Sequence, residues 1–352
     1  MDKVKLYEGR DGTPYEVALP LTSTLDLSIA VSDLGLPGYI DLANPAVRRA
    51  IAALWAAQRA PVLDLKIGDK QPKKALSPLL FGGVAVKLHC PSANKPNHPL
   101  NRCVKDIDFA VPKSQGALFA KLLTSLSGAF GSYYTFFITP SDKMFNALRG
   151  GRRYRVRSIY ETLENGIGIN IIDVFCDELP FRHTIKLRKD LFELSRANVY
   201  TIGLESLLLS KCQFIFGLPH ERITELEVAG QSFRLLPYKH LRGLVAVGME
   251  LKDVKDVAAL LLDHEIGEGP DQINLKAVKR VLEKDKGFAL TVELNLRNLV
   301  DRIDILVHEG LSKSEVGKIT DTANELLKTL PTIDKQWDKP WWNLYVETPK
   351  VT

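Results

Sequence analysis

The chain has 352 residues, 45% hydrophobic and 25% charged, with a net charge of +5 and a pI near 8.8. These are the proportions of an ordinary folded protein, with length for two domains or one core with sizeable extensions. The mild basic bias suits a nucleotide or nucleic-acid partner without demanding one. The four cysteines (Cys90, Cys103, Cys176, Cys212) form no C-x-x-C pair, so a disulfide framework is not implied and a reducing compartment is expected. Acidic and polar residues come early, so no signal peptide is read, and no uninterrupted apolar run reaches spanning length. The expected location is the cytoplasm, with no membrane partner.

Residues 1–40 hold short β-like runs such as Tyr15–Leu19, broken by Gly and Pro. Asn44-Pro45 opens a helix through Ala60, with Asn as N-cap and Pro at the first helical position. An apolar run, Leu79-Leu80-Phe81, meets Gly82-Gly83 and a helix from Val84 onward. A loop rich in Pro, Asn and His covers 91–100. His89, Cys90, His98 and Cys103 lie near it, but at spacings that match no standard zinc pattern, and they read as loop residues. Helices are predicted over Lys113–Leu126 and Asp142–Leu148, with an aromatic strand Tyr133–Ile138 between them. The basic run 152–157 and the apolar run Ile169–Phe175 flank Asn165-Gly166, a strong hairpin signal, and are expected to pair. Further helices are predicted at Gly203–Phe216, Tyr238–Val247, Asp253–Asp263, Leu275–Lys284, Thr291–His308 and Ser312–Leu330, the last with a Ser312/Glu315 capping box. The tail 337–342 carries three tryptophans, either to stack on bases or to dock on the body.

The residues that carry chemistry centre on Asp106-Ile107-Asp108-Phe109. Residues i and i+2 of a strand share a face, so Asp106 and Asp108 repel unless a cation lies between them. Mg²⁺ is held by one or two carboxylates plus phosphate oxygens, and two such ions about 4 Å apart clamp an in-line displacement at phosphorus. Gly82 and Gly83, at the start of a helix, let backbone N–H groups approach a phosphate. Taken singly, the glycines read as a structural turn and the aspartates as a solvated edge. Arg153, Arg155 and Arg157 share one face, either as a stripe contacting the acceptor or RNA backbone or as a solvated face with ion pairs.

In this order, the motifs resemble the nucleotidyltransferase superfamily of DNA polymerase β. They are most similar to the abortive-infection toxin nucleotidyltransferases of the AbiEii type, over about residues 75–265. The resemblance implies an α+β fold: a mixed sheet flanked by helices, with a C-terminal helical bundle. With the residue reading of the flanks, the chain divides into an N-terminal extension (1–40), a nucleotidyltransferase core (41–200), a helical domain (201–335) and a Trp-rich tail (336–352). The resemblance implies Mg²⁺ or Mn²⁺ on Asp106, Asp108 and a third carboxylate, Asp173, which is either a metal ligand or the base for the incoming hydroxyl. Gly82, Gly83, Arg102 and Lys211 would bind the NTP. Val104 stands where the family carries a hydroxyl. The segment 201–211 is similar to the helix whose lysine faces the phosphates, and Lys252–Leu261 to the family's K/R-D-x-x-D helix.

The residues also admit plainer roles. Asp173 could accept hydrogen bonds from the Arg strand, Lys211 could snorkel to water, and Arg102 could be a surface residue. Asp253 and Asp256 could pair with Lys252 or Lys255. The expected activity is transfer of a nucleoside monophosphate from an NTP to a hydroxyl on RNA, protein or a small molecule. A cognate antitoxin is a further possible partner. The alternative is a non-catalytic nucleotide- or RNA-binding module.

Overall fold

The structure, a computed structural model, describes residues 4–8, 14–18, 27–61, 73–129, 136–161, 167–187, 200–214, 225–228, 231–234 and 249–332. The expected helix at 238–247, the Asn165-Gly166 turn and the Trp-rich tail lie outside them. The chain folds as α+β and divides into two units that exchange segments. The first holds Met1–Leu88, Cys103–Asp177 and Leu187–Ile202; the second holds His89–Arg102, Glu178–Lys186 and Gly203–Thr352.

In the first unit, β1 (Val4–Glu8) and β2 (Pro14–Ala18) form an antiparallel pair. After α1 (Leu27–Asp33) comes α2 (Pro45–Arg59), where Asn44 Oδ1 accepts from the Ala46 and Val47 N–H groups at 2.9 and 3.3 Å, the cap the sequence predicts. Then follow β3 (Leu79–Phe81), α3 (Gly82–His89), β4 (Ile107–Val111) and α4 (Lys113–Ala129). β5 (Phe136–Phe137), α5 (Pro140–Leu148), β6 (Arg153–Glu161) and β7 (Ile167–Cys176) complete the sheet. The strand order is β3-β4-β7-β6-β5, parallel between β4 and β7 and antiparallel elsewhere. Backbone at 200–202 covers the outer edge of β3: Leu80 N–H donates to Tyr200 O at 2.7 Å, and Ile202 N–H to Leu80 O at 2.9 Å.

Strand alternation sorts the two faces. Phe109 points to α4 and meets Phe119 edge-on at 5.0 Å, over a core with Leu122, Leu123 and Leu126. Gly116 lets α4 sit tightly on the sheet, since a Cβ there would lie 2.6 Å from Cys176 Sγ. Asp108, next to Phe109, therefore faces away from α4. Arg49, fully buried on α2, donates to the Ile159 carbonyl through Nε and Nη2 at 3.3 and 3.0 Å.

The second unit is largely helical. A short pair, β8 (Glu178–Pro180) and β9 (Thr184–Lys186), precedes α6 (Leu204–Lys211), and β10 (Glu225–Val228) pairs with β11 (Gln231–Arg234). α7 (Leu251–Asp263), α8 (Leu275–Leu282), α9 (Lys286–Asp301), α10 (Asp304–His308) and α11 (Lys313–Thr329) follow. α7 packs on α6 and α11, and α9 on α8 and α11, burying Val257, Leu260, Leu261, Leu296, Ile319, Ala323 and Leu326. The Ser312/Glu315 capping box is present. The predicted helix 291–308 is instead two helices. Asp285 caps the start by accepting from Phe288 N–H at 2.9 Å, and the chain leaves helical geometry at Arg302 (φ −118°, ψ 24°). Among the described residues, no helix is long and apolar enough to cross a membrane.

Candidate functional site

Sheet register assembles the first cluster. Phe81 lies opposite Asp108, Asp108 opposite Asp173, and Asp173 opposite Arg155. Register partners point to the same face, so these four residues form one row across β3, β4, β7 and β6. Asp106 precedes β4 by one residue and is exposed, Asp108 is half-buried, and Asp173 is buried. Gly82 opens α3 with φ +70°, and a Cβ added there would meet Asp108 Oδ2 at 2.6 Å. Both facts call for glycine: the backbone is left-handed, and the carboxylate closes on it. The Asp108 carboxylate thereby sits beside the N-terminus of α3, where the helix dipole favours negative charge.

Asp173 is held by two arginines of the neighbouring strand. Its Oδ2 accepts from Arg153 Nη2 at 2.6 Å and Arg155 Nη2 at 3.0 Å, and its Oδ1 from Arg155 Nε at 2.9 Å. Burial alone would raise the Asp173 pKa, but the two guanidiniums outweigh it and hold the carboxyl below its ordinary value. The arginines are themselves built in. The Arg153 guanidinium lies 4.2 Å from the Phe175 ring centroid, and that of Arg155 4.5 Å from Phe145. Asn146 of α5 accepts from Arg155 N–H at 2.6 Å and donates to Arg155 O at 3.2 Å, continuing the ladder where β5 has ended. Arg157 donates to Asp142 of α5 through Nε at 2.8 Å and Nη2 at 3.2 Å. The arginine stripe is therefore real as a face, but each of its side chains is committed to an acid and shielded by α5, not spread over a solvated surface.

Asp106, Asp108 and Asp173 do not present one oxygen each within 4.8 Å of one another. Among the described residues, the His/Cys/Asp/Glu group that meets this spacing is His89, His264 and Asp271. Attraction to Arg153 and Arg155 turns Asp173 toward β6.

In the second unit, Arg102 and Lys211 converge on α7. Arg102 donates to Asp256 through Nε at 2.8 Å and Nη2 at 2.5 Å, and Lys211 Nζ lies 2.7 Å from Asp256 and 3.0 Å from Asp253. Arg102 is thus half-buried in an ion cluster, not a surface residue, and Lys211 does not snorkel. Lys252 and Lys255 are the pairing partners the sequence offers Asp253 and Asp256. Those lysines instead reach Glu250 and Glu309, because Asp253 and Asp256 turn to Lys211 and Arg102. Burial would lower the Lys211 pKa, but Asp256 and Asp253 overcome it and raise it. Burial would raise that of Asp256, but Lys211 and Arg102 lower it.

No family model, curated protein or solved structure matches the chain.

Sequence reasoning missed Asp142, Phe145 and Asn146, which lock the arginine face. The Thr139/Asp142 capping box, with Asp142 N–H donating to Thr139 Oγ1 at 3.1 Å, left a readable trace in Thr-Pro-Ser-Asp. The partners of Arg102 and Lys211 left none, since 154 and 42 residues separate them from their acids. Of the four His and Cys residues grouped near the loop, His98 bonds to Glu315 at 2.8 Å and Cys103 is an exposed thiol. His89 ends a helix, and Cys90 is buried.

Proposed function

We propose that this chain is a metal-dependent nucleotidyltransferase on the polymerase β-type fold, moving a nucleoside monophosphate from an NTP to a hydroxyl acceptor. The supporting observation is the row of Asp108 and Asp173 on adjacent parallel strands, with Gly82 closed against Asp108. The motif order read from the sequence agrees with it.

The residues fit Mg²⁺ or Mn²⁺ through Asp106 and Asp108, whose oxygens are the hard donors such ions prefer. Asp173 does not fit as a ligand while Arg153 and Arg155 occupy it, so its part is to position those arginines. A divalent ion, when bound, supplies Lewis-acid polarisation of the phosphate and lowers the pKa of the acceptor hydroxyl. The Gly82-Gly83 turn offers backbone N–H groups to phosphate oxygens. Arg153 and Arg155 keep positive charge beside the carboxylates, where it opposes the charge building on the phosphoryl group.

The abortive-infection resemblance adds RNA as an acceptor class and an antitoxin as a partner. A second reading, a nucleotide- or RNA-binding module without turnover, draws on one observation: both Asp173 oxygens are satisfied within the protein. The two are separated by incubating the full chain with Mg²⁺ and each labelled NTP, using RNA and cell extract as acceptors. Label transferred by the wild type, but not by the Asp106→Asn/Asp108→Asn variant, supports the enzyme. NTP or RNA binding without transfer supports the module.

A further inference from the structure

A second set of donor atoms lies in the second unit, and the proposed transferase chemistry makes no use of it. His89 is the last residue of α3, His264 the C-cap of α7 in extended geometry (φ −118°, ψ 138°), and Asp271 part of the loop that follows. That loop is closed on itself: Ile273 N–H donates to Glu265 O at 2.9 Å and Gly267 N–H to Ile273 O at 3.1 Å. Asp271 Oδ1 lies 3.3 Å from His264 Nδ1 and 4.0 Å from His89 Nδ1, and all three donors fall within 4.8 Å of one another. The imidazoles meet edge to face, 5.7 Å apart at 75°, so the rings do not stack, and both Nδ1 atoms lie within 4.0 Å of the same Asp271 oxygen.

The geometry points to a binding site for a divalent transition-metal ion, zinc by its spacing, formed by His89, His264 and Asp271. Zinc bonds of about 2.0–2.2 Å in tetrahedral array set donors roughly 3.3–3.5 Å apart. The Asp271–His264 separation of 3.3 Å already matches, the Asp271–His89 separation of 4.0 Å needs less than about 1 Å of closure, and the two imidazoles offer nitrogens within 4.8 Å of one another. Two imidazole nitrogens select zinc and its transition-metal neighbours over Mg²⁺, which prefers oxygen throughout. The histidine side chains are 2% and 1% exposed and that of Asp271 67%. The nitrogens are thus fixed within the protein, while the carboxylate side is open to an arriving ion and a water as fourth ligand.

Cys90 Sγ lies 3.8 Å from His264 Nε2, at the far side of the ring. It serves as the outer partner that fixes the tautomer, not as a ligand. With Nε2–H directed at the sulfur, the Nδ1 lone pair is left to a metal. The metal-free alternative is the other tautomer, in which Nδ1–H donates to the Asp271 main-chain carbonyl, 3.1 Å away. The sequence hides this site because His89 and His264 are 175 positions apart in the numbering, outside any short zinc motif.

The test is metal binding by the full chain, stripped with a chelator and titrated with Zn²⁺ against a chromophoric competitor in millimolar Mg²⁺. One equivalent should bind, with affinity at least about tenfold weaker in Asp271→Ala and in His264→Gln. Asp271 is exposed, so its variant keeps the fold even if the histidine variant does not. Absence of a Zn²⁺ equivalent that resists Mg²⁺, or equal affinity in wild type and Asp271→Ala, would overturn the assignment.

Discussion

The two ion clusters solve one problem in different ways. In each, a buried aspartate is gripped by two cations: Asp173 by Arg153 and Arg155, Asp256 by Arg102 and Lys211. In the second unit, two acids meet two bases and the charges balance. On the sheet face, the gripped Asp173 lies in register with Asp108 of the adjacent parallel strand, and Asp108 closes on Gly82. A balanced cluster is explained by holding helices together. The sheet cluster differs in setting a second carboxylate beside a left-handed glycine at a helix start. The contrast teaches that ion pairing alone does not mark a site; what stands beside the paired acid does.

The largest effects should come from removing the gripped acids. Asp256→Ala and Asp173→Ala each strand two cations, and each should cost about 3–5 kcal/mol in urea unfolding. A loss below about 1 kcal/mol in either would break the parallel. Gly82→Ala should be milder for stability, about 1–3 kcal/mol for a strained left-handed residue pressed on Asp108. It should also reduce nucleotide transfer, whereas an equally destabilising change in the second unit's helices should not.

The pH dependence should then separate the clusters. Asp173 and Asp256 titrate below the unfolded value of about 3.9. Each stabilises the fold above that value, and the contribution is lost as pH falls through the folded pKa. Asp173→Asn or Asp256→Asn should therefore flatten the acid limb of the stability curve. Lys211 is shifted upward, so its contribution is present below about pH 10.4 and is lost as pH rises through the folded value. Guanidiniums do not titrate there, so Lys211→Met should flatten the alkaline limb while Arg155→Met leaves it intact. The smallest effect is expected for Asp253→Ala, roughly 1 kcal/mol, because Asp256 still holds Lys211.

Much of this was legible in the sequence. Asn44-Pro45 and Ser312/Glu315 marked helix starts through local capping chemistry, and alternation in 153–157 and 169–175 marked two strands that do pair. The sharing of a face by Asp108 and Asp173 followed once those strands were placed. What stayed hidden was set by distance along the chain. Nothing near Arg102 names Asp256, nothing near His89 names His264, and periodicity could not see the break at Arg302. The commitment of Asp173 to two arginines was legible only as an alternative, because register decides which side chain an acid meets.

The central claim, that the carboxylate face performs phosphoryl transfer, is tested most directly by assaying label transfer from NTP with wild type and Asp108→Asn side by side. Asp108 is half-buried, and its replacement is nearly isosteric, so both proteins should show the same thermal midpoint. The account predicts transfer by the wild type and at least a hundredfold loss in the variant, a drop on the order of that for removing a group acting on the transition state. Undiminished transfer by Asp108→Asn, or none by the wild type with any NTP, would contradict it.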